Sequence, residues 1–110
     1  MQQHLFVYGT LGPNKPNAHV LEAIEGTWSK GAVTGVLKAE GWGAELGFPA
    51  LILSPDGHAI HGHVFSSAQL HTLWNSLDEF EGSEYRRVLT EVTLESGDIQ
   101  QAYVYALYQD

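Results

Sequence analysis

Cysteine is absent from the chain, which leaves no disulfide framework, no thiolate nucleophile and no cysteine-held zinc. Positive charge is scarce as well: only Lys15, Lys30, Lys38, Arg86 and Arg87 carry it in 110 residues, for a formal net charge of -8. A surface that negative repels phosphodiester backbones and anionic lipid, so neither nucleic acid nor membrane is an expected partner. No apolar run approaches the ~20 residues needed to span a bilayer. The opening MQQHLFVYGT lacks both the basic region and the long apolar stretch of a signal peptide. With no cysteine and no export signal, a cytoplasmic protein is the expectation. Serine-nucleophile, dinucleotide and Walker motifs are missing too, as are repeats and low-complexity tracts. A chain of this length buries roughly two-thirds of its unfolded surface on folding, so residues 1–110 read as a single self-sufficient domain.

What is present alternates between short strands and two helices. His4 to Tyr8 reads as a strand stopped by Gly9, and Gly12-Pro13-Asn14-Lys15-Pro16-Asn17 as a loop of turn-setting residues. Asn17 is placed to cap a short helix carrying Val20, Leu21 and Ile24, ended by Gly26. Ala32 to Lys38 is a strand-like run broken at Gly41-Trp42-Gly43. Phe48 to Leu53 follows, and Pro55-Asp56-Gly57 predicts a hairpin into Ala59 to Phe65. Ser66 or Ser67 can cap a second helix with Leu70, Leu73, Trp74 and Leu77 at helical spacing. Val88 to Glu95 alternates with an approximate period of two, Gly97-Asp98 turns, and Ala102 to Tyr108 forms the last strand. The order is β-α-β-β-β-α-β-β. So many strands in so short a chain predict an α+β domain, a small mixed barrel of about six strands with the two helices outside.

The second helix carries an acid in an unexpected place. At about 100° per residue, Phe80 and Glu81 fall on the apolar stripe, Glu79 on the far side and Asp78 at its edge. Burying an unpaired carboxylate is costly and tends to raise its pKa, which suits a general acid/base near neutral pH. Two bland alternatives stand beside this one. Gly82 follows at once, so the helix can end at Phe80 and leave Glu81 as a solvated cap residue, or Arg86 or Arg87 can pair with it structurally.

Other features are less specific. Val7-Tyr8-Gly9-Thr10-Leu11 is a strand running into a glycine turn, which either simply turns or gathers backbone N–H groups around an anion. His61 and His63 share a strand face, but Ile60 and Val64 claim the inward one, so the histidines are expected to point to solvent and not to a metal. Tyr103 and Tyr105 share another face, as ligand wall or as core, and Trp28, Trp42 and Trp74 read as packing residues.

Taken together, Val-Tyr-Gly-Thr-Leu at 7–11, Leu-Asp-Glu-Phe-Glu-Gly at 77–82 with Tyr85-Arg86-Arg87, and Ala-Tyr-Val-Tyr at 102–105 resemble the γ-glutamylcyclotransferase-like superfamily. The branch of γ-glutamylamine cyclotransferases and avirulence-induced-gene-like proteins is the most similar, and the likeness runs along essentially the whole chain. The resemblance implies a compact mixed barrel with flanking helices and an enzyme that cyclises a γ-glutamyl compound to 5-oxoproline without cofactor or metal. It also implies Glu81 as the catalytic acid/base, with Tyr8, Gly9, Thr10 and Leu11 lining the substrate pocket and Tyr85 and Tyr105 closing it. Gly12-Pro13 and His63 stand where members often carry a basic residue and a glutamate. These departures bear on the leaving amine, not on the fold. The rival readings are a binding module that holds a small acidic metabolite in the same pocket without turnover, another acyl-transfer enzyme, and a structural domain with Glu81 paired to Arg86. Oligomeric state is not legible in the sequence.

Overall fold

The structure, a computed structural model, describes residues 2–8, 19–38, 50–81 and 85–107, with Lys38, Ala50, Phe80 and Glu81 described by their backbone only. The elements are β1 (Gln3–Val7), α1 (His19–Glu22), β2 (Thr27–Lys38), β3 (Ala50–Leu53), β4 (His58–Ser67), α2 (Trp74–Glu81), β5 (Tyr85–Leu94) and β6 (Ile99–Leu107). Side chains alternate across a strand, and here both faces are used. Phe6, Val33, Ile60, Val64, Val92 and Val104 point to one interior, whereas Leu5, Val7, Phe65 and Tyr105 point outward under Leu21, Leu70 and Leu77.

Strands β2, β4, β1, β6 and β5 follow one another laterally, and pairing of Gly31 with Leu94 and Ala32 with Thr93 closes β5 back onto β2. The result is a five-stranded barrel with β3 as an extra strand. All pairings are antiparallel except β1 with β6, where Leu5 lies beside Tyr103 and Phe6 beside Val104. The small mixed barrel with outer helices expected from the element order is therefore the fold.

The expected hairpin between the third and fourth strands does not form, because β2 lies between them. The carbonyls of Lys30 and Thr34, on one edge of β2 by the two-residue alternation, accept from Glu95 and Ser54. Strand β3 thus shares that edge with β5, while β4 takes the other. Leu53, the last residue of β3, and His58, the first of β4, both stand opposite Gly35. The connecting loop crosses the face of β2 there, and a Cβ on Gly57 would overlap the backbone of Gly35. The Pro-Asp-Gly turn is real, but it carries the chain over a strand and not back along one.

The second helix is also shorter than its periodicity suggests. The chain remains β-strand through Ser67, whose hydroxyl donates to the Glu25 carbonyl and accepts from the Gln69 amide at 3.0 Å. A single 3-10 turn, Leu70–Thr72, follows before α2 begins at Trp74. Leu70 and Leu77 are nevertheless fully buried, so the apolar stripe survives the change of helix type. Asn17, proposed above as the cap of α1, lies outside the described residues.

Candidate active site

The orientation of α2 follows from two contacts. At its start Trp74 donates from Nε1 to Gln3 Oε1 (3.2 Å) and meets the Tyr103 ring edge-on at 5.3 Å. One turn later Asp78 Oδ1 accepts from the Tyr105 hydroxyl at 2.6 Å. Gln3 to Val7 and Tyr103 to Tyr105 run in the same direction, so α2 lies along β1 and β6 and points to their C-terminal ends. Glu81, the last residue of α2, stands ~4.5 Å further along the axis than Asp78. Its side chain lies outside the described residues, as do Gly9, Thr10 and Leu11, which follow directly on Tyr8.

Strand β5 enters at the same end. Tyr85 pairs with Leu107 and Arg86 with Ala106, and the chain between Glu81 and Tyr85 can span at most ~14 Å. The end of β1, the end of β6, the start of β5 and the end of α2 therefore meet at one rim of the barrel, although they lie far apart in sequence. Tyr85 packs half-buried against the outer apolar cluster.

Tyr8 and Tyr105 are joined. The Tyr8 hydroxyl donates to the Tyr105 carbonyl at 2.8 Å and accepts from the Leu51 amide at 3.2 Å. Leu51 lies on β3, whose even-numbered amides face β2, so its own N–H points away from the ladder and Tyr8 satisfies it. Tyr105 is only 4% exposed, and its phenol is pushed well above the usual tyrosine range, first by burial and then by its hydrogen bond to the Asp78 carboxylate. Arg87 approaches the same Asp78 oxygen at 3.3 Å and lies 4.4 Å above the Trp74 ring. Of the two arginines weighed as partners of Glu81, Arg87 is thus held by Asp78.

Sequence reasoning missed Asp78 and Arg87 as parts of this rim. The available signal was the placement of Asp78 at the edge of the apolar stripe, three residues before Glu81 and hence on a neighbouring surface of the helix.

A cavity of about 750 Å³ adjoins the rim on the β1 side, bordered by Val7, Tyr8, Lys30, His61, His63 and Glu95. Val7 and Tyr8, at the end of β1, form part of its wall. His61 is exposed and His63 half-buried, edge-on to Trp28 at 6.2 Å. Among the described residues, no group of three or more potential metal ligands surrounds them. No described helix is long and apolar enough to cross a membrane. Trp28 and Trp74 pack against Phe65 and Tyr103, and Trp42 lies outside the described residues.

Similar architecture occurs in solved structures. An AIG2-like protein of Mus musculus is 30% identical with a TM-score of 0.72, the match covering 98% of this chain and 80% of that one. YkqA of Bacillus subtilis is 26% identical with a TM-score of 0.73, but this chain, matched over 97% of its length, spans only 36% of it. A γ-glutamyl cyclotransferase that is 16% identical shares the fold, with a TM-score of 0.70 over 99% of this chain and 68% of that one. No curated protein sequence matches the chain. The sequence profile of the γ-glutamyl cyclotransferase, AIG2-like proteins matches residues 5–110, and the chain belongs to that family.

Proposed function

We propose that this protein is a cyclotransferase that converts a γ-glutamyl amine, amino acid or peptide to 5-oxoproline and releases the amine, with Glu81 as general acid/base. The observation that carries this reading is the convergence at one barrel rim of Tyr8, Tyr85, Tyr105 and the last turn of α2. Family membership supports it.

The chemistry asks for little machinery. The substrate folds so that its α-nitrogen faces its own γ-carbonyl. Glu81 takes a proton from the α-ammonium, and the freed amine forms a C–N bond to the γ-carbon, leaving an oxyanion. Glu81 passes that proton to the departing nitrogen and takes the second proton from the ring nitrogen. The oxyanion then collapses, the bond to the leaving amine breaks, and the second proton leaves with the amine as its ammonium. One carboxylate within hydrogen-bond reach of both nitrogens serves both steps, an effect of ~10²–10⁴-fold for such a group. Backbone N–H groups of Gly9, Thr10 and Leu11 anchor the substrate carboxylate or steady the oxyanion. Tyr85 closes the pocket, while Tyr105, its buried phenol bonded to Asp78, acts from beneath α2 and not on the substrate. Holding a flexible chain in its cyclising shape supplies much of the remaining acceleration. No electron transfer occurs, and the proton balance closes on one side chain without a cofactor.

The test is turnover of a panel of γ-glutamyl amines, amino acids and peptides with direct detection of 5-oxoproline. Release from at least one compound is expected. Saturable binding of 5-oxoproline with no turnover of any compound would instead identify a binding module.

A further inference from the structure

We infer that the Tyr105 hydroxyl, acting through Asp78, is a positioning device that aims the last turn of α2, and with it Glu81, at the end of β1. The inference rests on the proposed function.

An eight-residue helix is marginal alone and takes its direction from what it touches. The apolar stripe holds α2 against the sheet, with Leu77 fully buried, but apolar packing permits small sliding and rotation. Directional contacts at two points remove that freedom: Trp74 Nε1 on Gln3 at the start, and Asp78 on the Tyr105 hydroxyl one turn later. A rod pinned twice has a fixed axis, and Glu81 lies one further turn along it.

Tyr105 is the residue that joins the two halves of the site. Its side chain holds α2, and its carbonyl accepts from Tyr8, the residue that directly precedes Gly9. Tyr105 therefore contacts both the helix that carries the proposed base and the residue that precedes the proposed anchor. Arg87, stacked on Trp74 and paired with the same Asp78 oxygen, holds the carboxylate from the other side. Asp78 and Arg87 are both partly exposed, so their pairing adds little to stability. What the arrangement supplies is direction.

The experiment compares Tyr105→Phe, Asp78→Ala, Asp78→Asn and the double variant Tyr105→Phe/Asp78→Ala with the parent on its best γ-glutamyl substrate. Misplacing a catalytic group by ~1 Å costs on the order of 10²-fold. Tyr105→Phe and Asp78→Ala should each lower kcat by roughly 10–100-fold while KM stays within about threefold. Because both remove one contact, the double variant should be no slower than the worse single one. Asp78→Asn keeps an oxygen that accepts from the Tyr105 hydroxyl and should recover kcat to within about threefold of the parent. An unchanged kcat in the single variants, losses that multiply in the double, or Asp78→Asn as slow as Asp78→Ala would each overturn the inference.

If the parent releases no 5-oxoproline from any compound, it is the functional reading that has failed. The positioning claim is then decided by amide hydrogen exchange. Amides of residues 77–81 should exchange on the order of tenfold faster in Tyr105→Phe than in the parent, with β4 unchanged. Equal exchange would refute the claim.

Discussion

The interior of the barrel and the layer beneath α2 are both closed to water, yet they are built differently. The interior is mainly apolar: Phe6, Val33, Leu51, Ile60, Val64, Val92, Ala102 and Val104 fill it, with the Tyr8 phenol packed against them. The layer under α2 has a similar floor of Leu5, Val7, Leu21, Phe65, Leu70 and Leu77, but its margin carries the Tyr105 phenol, the Trp74 indole, Asp78 and Arg87. Apolar filling resists compression and adds stability without fixing direction. Charge-assisted hydrogen bonds at a half-exposed margin add little stability and fix direction well. The barrel is thus held by one region and its rim is aimed by the other.

Substitutions can break that contrast in order of size. Phe6→Ala removes a fully buried ring, 1% exposed, from the interior and should lower unfolding stability by about 3–5 kcal/mol, read from denaturant titration. Gly97, at φ 95° in the turn between β5 and β6 and away from the rim, has nothing within 4 Å of a notional Cβ. Gly97→Ala therefore carries backbone strain only, about 1–2 kcal/mol, with kcat unchanged. A changed kcat would mean that the far turn is coupled to the site. Arg87→Lys keeps the charge but loses the flat stack on Trp74, and should cost under about 1 kcal/mol by thermal melting. A larger loss would place Arg87 among the groups that hold the barrel.

The smallest effect concerns pH. His4, half-buried on β1 opposite Ser66, has Nδ1 2.7 Å from Ser66 Oγ, and burial lowers its pKa from the ordinary 6.5. Between that value and the lower folded one, the unfolded chain binds more protons than the folded chain. Stability from this group is therefore complete above pH ~6.5 and declines as pH falls below it. The parent should lose more melting temperature between pH 7.5 and 5.5 than His4→Gln does. Equal losses would assign the acid sensitivity to other groups.

Much of the fold was legible because the relevant signals are local. Leu5-Phe6-Val7 and Ala102 to Tyr105 announce strands, and Leu70, Leu73, Trp74 and Leu77 announce a helical stripe whatever the helix type. The start of β2 was not legible: Ser29, Lys30 and Gly31 have little strand character, and pairing with β4 on one edge and β5 on the other makes them a strand. Nor was the placement of β3. A Pro-Asp-Gly turn encodes a change of direction over a few residues, whereas the lateral order of strands is decided by contacts remote in sequence. At the rim, the family motifs marked Tyr8, Tyr85, Tyr105 and Glu81. The bond from Tyr105 to Asp78 spans 27 residues and follows only from the register of β6 against β1 and the direction of α2.

The proposal that Glu81 carries the proton between two nitrogens is tested most directly by Glu81→Gln, which preserves shape and removes the base. Release of 5-oxoproline, measured at saturating γ-glutamyl substrate, should fall by at least ~10²-fold with KM little changed. A variant that forms 5-oxoproline as fast as the parent would contradict the proposal.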